Sequence, residues 1–255
     1  MKKSITAAFP KRLARLSSVA KSPRWTIALG ITTLLVALVA LSTYNAVTTD
    51  RFVSDLAITR WVQNFEVNEA LEEALFYITF EALAGVFIML AVLWLWFRSG
   101  HRVDAIVLLL AKFPNVINFP LRSIYGRPRP DETLVNVIGS PAGQSFPSGH
   151  AVLVVLLYGF LLYILMQYTR SKRLIYAAWV LLVLYIPFSG LYVVHIGRHW
   201  GSDVVGGYLY GLLYLVIAIK LFHLGRAWED RHPDLLTMAT VRRLAGRIGL
   251  SRGGS

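Results

Sequence analysis

The chain has 255 residues and no cysteine. Disulfide cross-links and thiolate metal sites are therefore excluded, while nothing follows about the compartment. Charge is scarce as well: 16% of the residues are charged against 56% that are hydrophobic. The question is then whether the apolar residues are dispersed over a globular core or gathered in runs. They are gathered. Trp25 to Val47 holds no charged residue, and a helix of that length rises ~35 Å at ~1.5 Å per residue, enough to cross the hydrocarbon of a bilayer. The run is too long for a signal-peptide core and follows a basic leader at 1–24, so it is expected to remain as an anchor. Internal repeats, low-complexity stretches and a linker long enough to set off a second domain are also lacking, so one bundle is expected.

Acidic residues are few, 14 against 26 Lys and Arg, for a net charge of +12. In a soluble chain that balance would suggest nucleic acid, but in a membrane chain the positions of the charges decide. Basic residues crowd the leader, two short turns (Arg98 with Arg102, and Arg170 with Lys172 and Arg173) and the tail from Arg226 to Arg252. Six spans are predicted, at 25–47, 74–97, 103–120, 149–168, 174–192 and 204–224. Six crossings return both ends to one side, and with the leader cytoplasmic every basic cluster falls inside. No nucleic-acid partner is expected. The expected architecture is an all-α, six-helix membrane bundle over 25–224 with short loops, a cytoplasmic leader at 1–24 and a cytoplasmic tail at 225–255.

Three connections then face outward, at 48–73, 121–148 and 193–203. The first is acidic and reads as a solvated connector, with EVNEALEEAL at 66–75 a candidate interfacial helix. Gly206, Gly207 and Gly211 give the last span a small-residue face suited to close helix packing. Glu81 and Lys112 are ionisable residues inside predicted spans. Each lies ~10–12 Å from the outer end of its helix at ~1.5 Å per residue, so the two are expected to pair.

The other outward connections concentrate groups suited to phosphate. RSIYGRPRP at 122–130 sets Arg122, Arg127 and Arg129 beside prolines that discourage helix. Guanidinium forks match phosphate oxygens and keep their charge. At 146–150, FPSGH opens the fourth span, where unpaired backbone N–H groups and the positive end of the helix dipole seat an anion. Gly149 permits close approach, Ser148 adds a hydroxyl, and His150 is placed to donate a proton. In HIGRHWGSD at 195–203, Asp203 follows His199 by four residues. A carboxylate that orients one imidazole nitrogen frees the other to attack phosphorus. Each segment also has a plainer reading: a basic loop, an ordinary helix cap with an interfacial histidine, and Asp203 as the cap of the last span. A zinc site of His150, His195 and His199 is disfavoured by the neighbouring arginines, which would repel a cation.

Together the segments resemble the signature of the type-2 phosphatidic acid phosphatase superfamily of integral membrane lipid phosphatases. That signature is Lys-x6-Arg-Pro, Pro-Ser-Gly-His and Ser-Arg-x5-His-x3-Asp. The chain has Arg122-x6-Arg129-Pro130, an intact Pro147-Ser148-Gly149-His150, and His199-x3-Asp203. The resemblance implies His199 as nucleophile, Asp203 as its orienting partner and His150 as general acid. It further implies that Arg122, Arg129, Ser148 and Gly149 hold the phosphate, with no metal or other cofactor. A lipid phosphate substrate, membrane lipids as neighbours and a bacterial inner membrane with the site facing the periplasm are expected on the same ground. Candidate substrates are polyprenyl pyrophosphate, phosphatidylglycerol phosphate, phosphatidic acid and a glycolipid phosphate.

Two positions depart from the signature. Arg122 stands where the family has lysine, and Val193 falls where it has an arginine. Arg127 or Arg198 is expected to supply the missing cation, and Val193→Arg is expected to preserve or raise activity. Without a substitute, turnover would fall by ~10²–10³, which leaves a non-catalytic lipid-phosphate binder or transporter as the alternative. Phosphotransfer to a lipid or sugar hydroxyl is a further one.

Overall fold

The structure, a computed structural model, describes residues 23–66, 68, 82–98, 102–139 and 142–232. Among the described residues every regular element is helical: α1 (Pro23–Thr48), α2 (Val53–Gln63), α3 (Ala82–Arg98), α4 (Arg102–Ala111), α5 (Asn115–Tyr125), α6 (Gly149–Tyr168), α7 (Lys172–His195) and α8 (Gly201–Glu229). Among the described residues, five stretches are long and apolar enough to cross a membrane: Thr26–Thr48, Arg102–Tyr125, Gly149–Tyr168, Lys172–His195 and Gly201–Glu229. The predicted span at 74–97 is represented by α3, whose apolar part Ile88–Phe97 is shorter. The predicted interfacial helix at 66–75 lies, apart from Glu66 and Asn68, outside the described residues. The first outward connection carries α2 instead.

The third predicted span proves longer than expected and broken. Pro114 has no N–H and pushes Phe113 out of helical geometry. Lys112 N and Phe113 N therefore donate three residues back, to Leu109 O and Leu110 O, both at 3.1 Å. Pro114 then starts α5, where a missing N–H costs nothing. Pro120, where the span was expected to end, sits inside α5, so Arg122 is carried on that helix's last turn rather than in a loop. Lys112 is at the break, while its expected partner Glu81 lies outside the described residues.

Two contacts position the helix ends that carry the motif segments. The glycine face of α8 packs on α6: a Cβ on Gly207 would lie 2.7 Å from Ala151 Cβ, and one on Gly211 2.7 Å from Val155 Cβ. α6 accommodates this approach with a π turn over Val154–Tyr158. A hydroxyl chain links α1, α8 and α5, with Thr43 Oγ1 and Tyr125 OH each 2.8 Å from Tyr210 OH. At the other end, Arg226 Nε donates to the fully buried Asp104 at 2.8 Å and Nη2 donates to its second oxygen at 2.5 Å. Tyr168 OH donates to the same carboxylate. Glu229 accepts from the first N–H groups of α4, Arg102 N at 2.9 Å and Val103 N at 3.3 Å. These reaching side chains explain why α8 continues past residue 224. Between the two ends, Leu95, Leu108, Leu157, Phe160 and Phe222 form the main apolar core.

Candidate active site

The three segments at 122–130, 146–150 and 195–203 converge on the start of α8. Ser148 N donates to Asp203 O at 3.1 Å, and Trp200 Nε1 donates to Pro128 O at 3.2 Å. The first bond ties the entrance of α6 to α8, and the second ties the Pro-rich segment to the histidine segment. The turn after α7 is compact because Gly197, at φ 67°, lies where a Cβ would come 2.1 Å from Asn136 O.

Arg122 reaches back over the start of α6, with Nε donating to Pro147 O at 3.0 Å and Nη2 to Asn115 Oδ1 at 3.1 Å. A Cβ on Gly149 would lie 2.0 Å from Arg122 Nη2. The glycine is thus the space through which the guanidinium passes. Ser148 caps α6 by accepting from Ala151 N. Arg129 donates through Nε to Gly143 O at 2.9 Å and through Nη1 to Arg198 O at 2.5 Å, and that Nη1 stands 3.4 Å from His199 Nε2. Arg198 Nε donates to Ile138 O at 3.4 Å. His150 follows Gly149 in the first turn of α6. The predicted residues of the three segments therefore share one site, apart from the exceptions below.

His199 and Asp203 are not directly hydrogen-bonded: Nδ1 and Oδ2 are 3.9 Å apart. Ser145 fills the gap, with Oγ donating to Asp203 Oδ2 at 2.5 Å and lying 3.4 Å from His199 Nδ1. This order places a proton on Nδ1 and leaves the Nε2 lone pair on the arginine side. Asp203 also accepts from Trp200 N at 2.9 Å, so it caps α8 and orients the imidazole at once.

Three sequence expectations are corrected. Arg127 does not join the phosphate cage. It is buried, with Nη1 donating to Asp203 Oδ1 at 2.6 Å and to Ser202 Oγ at 2.8 Å, and Nη2 donating to Asp55 Oδ2 at 2.9 Å. Asp55, expected on a solvated connector, is 1% exposed. Val193 is 0% exposed in an apolar cluster with Val62, Ala151, Val194 and Val204. An arginine there would bury its charge among methyl groups rather than reach the phosphate seat. His195, the third candidate in a zinc site, places Nδ1 3.2 Å from Val62 O.

Ser145, Asp55, Asn115 and Ser202 were missed. Ser145 immediately precedes the Phe-Pro-Ser-Gly-His stretch and was visible only as one more polar loop residue. The remaining three have no spacing signal, because their roles depend on contacts across the fold.

Burial drives the His199 pKa down to about 4, opposed by Asp203 and reinforced by Arg129 and Arg122. The ring is neutral at pH 7 and able to act as a nucleophile. Burial, and then the positive charge of Arg122, lower Arg129 to about 10, with Asp203 opposing and Arg198 adding to the repulsion. Arg129 stays charged at neutral pH and feels the repulsion of the neighbouring arginines. A phosphate would offset it.

The family model of the PAP2 superfamily matches residues 104–226. The matched segment opens at Asp104 and closes at Arg226, the two partners of an ion pair. It takes in all three converging segments and leaves α1, α2 and Asp55 outside. Among solved structures, the fold is similar to one described as the crystal structure of the first transmembrane PAP2 type phosphatidylglycerolphosphate phosphatase from Bacillus subtilis. The TM-score is 0.62 and the identity 22%, with 78% of this chain and 96% of that one covered. No curated protein is significantly similar to the chain.

Proposed function

We propose that the protein is a membrane lipid phosphatase that hydrolyses a phosphate monoester or pyrophosphate through a phosphohistidine. The observation that carries the proposal is the placing of His199 Nε2 at 3.4 Å from Arg129 Nη1, with the charges of Arg122 and Arg198 close by. Arg122, Arg129, Arg198 and the Gly149 backbone hold the phosphate. His199 Nε2 attacks phosphorus, a P–N bond forms as the P–O bond to the lipid breaks, and His150, whose charged form the bound phosphate anion favours, gives its proton to the departing oxygen. The imidazole gains a positive charge, which Asp203 balances through Ser145. Neutral His150 then takes a proton from water, the resulting hydroxide attacks phosphorus, and the P–N bond breaks to restore His199. The arginine cluster stabilises the charge on the equatorial oxygens at both steps, so no metal is required.

The PAP2 family and the lipid-facing position of α5 support a lipid substrate: Val116 and Phe119 are exposed on the helix that carries Arg122. A headgroup reaches the seat laterally from the bilayer. Phosphatidylglycerol phosphate, for which the similar Bacillus subtilis phosphatase is named, stands beside phosphatidic acid, polyprenyl pyrophosphate and glycolipid phosphates as candidates. The positive-inside pattern supports a site facing away from the cytoplasm, as in a bacterial inner membrane. Purified protein in detergent with a chelator is expected to release inorganic phosphate from at least one of these lipids, and His199→Ala to abolish the release. Full activity in His199→Ala, or a requirement for zinc, overturns the mechanism. Transfer of phosphate to an added alcohol, seen by thin-layer analysis, would replace hydrolysis with phosphotransfer.

A further inference from the structure

Asp55 lies in the first turn of α2, outside the PAP2 segment, yet its carboxylate is sealed from solvent. A buried carboxylate persists only with a full set of donors. Capping α2 requires one of them, Phe52 N, which donates to Oδ2 at 3.0 Å. The others come from the catalytic end of α8 and from the Pro-rich segment. Ser202 N donates to Oδ1 at 2.9 Å, while Ser202 Oγ at 2.7 Å and Arg127 Nη2 at 2.9 Å donate to Oδ2.

Arg127 spans two carboxylates, Asp55 at 2.9 Å and Asp203 at 2.6 Å, with all three side chains essentially inaccessible. Ser202 touches both Arg127 and Asp55 and immediately precedes Asp203. Asp203 is therefore held on one oxygen by Arg127 and on the other by Ser145 and Trp200 N.

The charges decide what this arrangement does beyond stapling α2 to α8. One guanidinium facing one carboxylate would neutralise it, and the imidazolium formed by attack at phosphorus would meet a spent partner. With two carboxylates sharing the guanidinium, the buried cluster keeps one net negative charge beside His199.

We infer that Asp55 is a positioning residue for the reaction, acting through Arg127 and Ser202 to hold Asp203 in place and keep it anionic opposite His199. The inference rests on the phosphohistidine reading above and deepens it. It explains why a residue of the first outward connection is buried against the catalytic segment, and why Arg127 is unavailable to phosphate.

The test is steady-state hydrolysis of a short-chain lipid phosphate by the full chain in detergent, with thermal unfolding followed in parallel. Asp55→Asn is expected to lower kcat about 10–100-fold, the range for residues that orient a reacting group from behind. KM should stay within about twofold, because the phosphate-holding arginines are untouched. In an Asp203→Asn background the same change should cost less than about threefold, since residues acting as a unit are not additive. Ser202→Ala, a milder loss of one shared hydroxyl, is expected to lower kcat about threefold with KM unchanged. Unchanged kcat in folded Asp55→Asn, a rise in KM alone, or full additivity with Asp203→Asn each overturns the inference. Should Asp55→Asn fail to fold, unchanged kcat in Ser202→Ala overturns it instead. Wild-type protein inert towards every lipid phosphate sinks the phosphatase reading and this inference with it; active wild type with an indifferent Asp55→Asn sinks the inference alone.

Discussion

Ser145 donates its hydroxyl to Asp203 Oδ2 at 2.5 Å and stands 3.4 Å from His199 Nδ1, so the histidine reaches its carboxylate through a serine. The direct separation of 3.9 Å is too long for a hydrogen bond. Ser145→Ala removes the link and leaves phosphate binding alone. Loss of one such bond corresponds to about tenfold in kcat, with KM little changed. Kinetics on a soluble short-chain substrate would show it, and a Ser145→Ala enzyme with wild-type kcat would mean that His199 is oriented some other way.

The depressed His199 pKa has a stability consequence. The native ring holds a proton only below about pH 4, while the unfolded ring takes one near pH ~6.5. Between these values the unfolded state binds the extra proton, so native stability falls as pH drops from 7 to 4 and the contribution is complete above ~6.5. His199→Gln lacks this titration. Wild type should therefore lose thermal stability relative to His199→Gln across that window, and parallel curves for the two proteins would refute the assignment of a neutral buried ring.

Gly149 and Arg122 offer a separate handle on substrate binding. A Cβ at 149 would come 2.0 Å from Arg122 Nη2 and 2.5 Å from Asn115 Oδ1. The arginine end is mobile enough to swing away, so Gly149→Ala should fold but lose the guanidinium from the seat. Catalytic efficiency should drop by about tenfold or more, towards the 10²–10³ of a lost charged donor. A Gly149→Ala protein with unaltered kcat/KM would show that Arg122 does not need that space.

Much of this was legible in the sequence because the signals are long or local. The charge-free run of α1 and the helix-opening Pro147-Ser148-Gly149-His150 declare themselves by length and by cap chemistry. The His199-x3-Asp203 spacing does so through its likeness to the signature. What escaped depends on side chains meeting across the fold. Arg127 and Arg129 are two residues apart in one loop, and only the packing of α2 sends the first to a pair of carboxylates and leaves the second beside His199. Asp55 read as a solvated charge because nothing in its neighbourhood announces Ser202 or Arg127. The break at Pro114 was visible as a proline, but the apolar residues on either side masked it within one continuous run.

Val193 reverses an expectation drawn from motif register. Counting back from His199 suggests a vacancy that an arginine would fill, yet the valine is completely enclosed by Val62, Ala151, Val194 and Val204 between α2, α6, α7 and α8. Its carbonyl accepts from Arg198 N at 3.1 Å, which helps fix the loop bearing His199. A guanidinium at this position would be buried without a counter-ion, at a cost of about 3–5 kcal/mol. Val193→Arg should accordingly lower the unfolding midpoint and the yield of detergent-stable protein, with activity lost in proportion to folded material. Val193→Ile, close in volume, should retain most of both. A folded, fully active Val193→Arg enzyme would show that the helix end can rotate to deliver residue 193 to the phosphate.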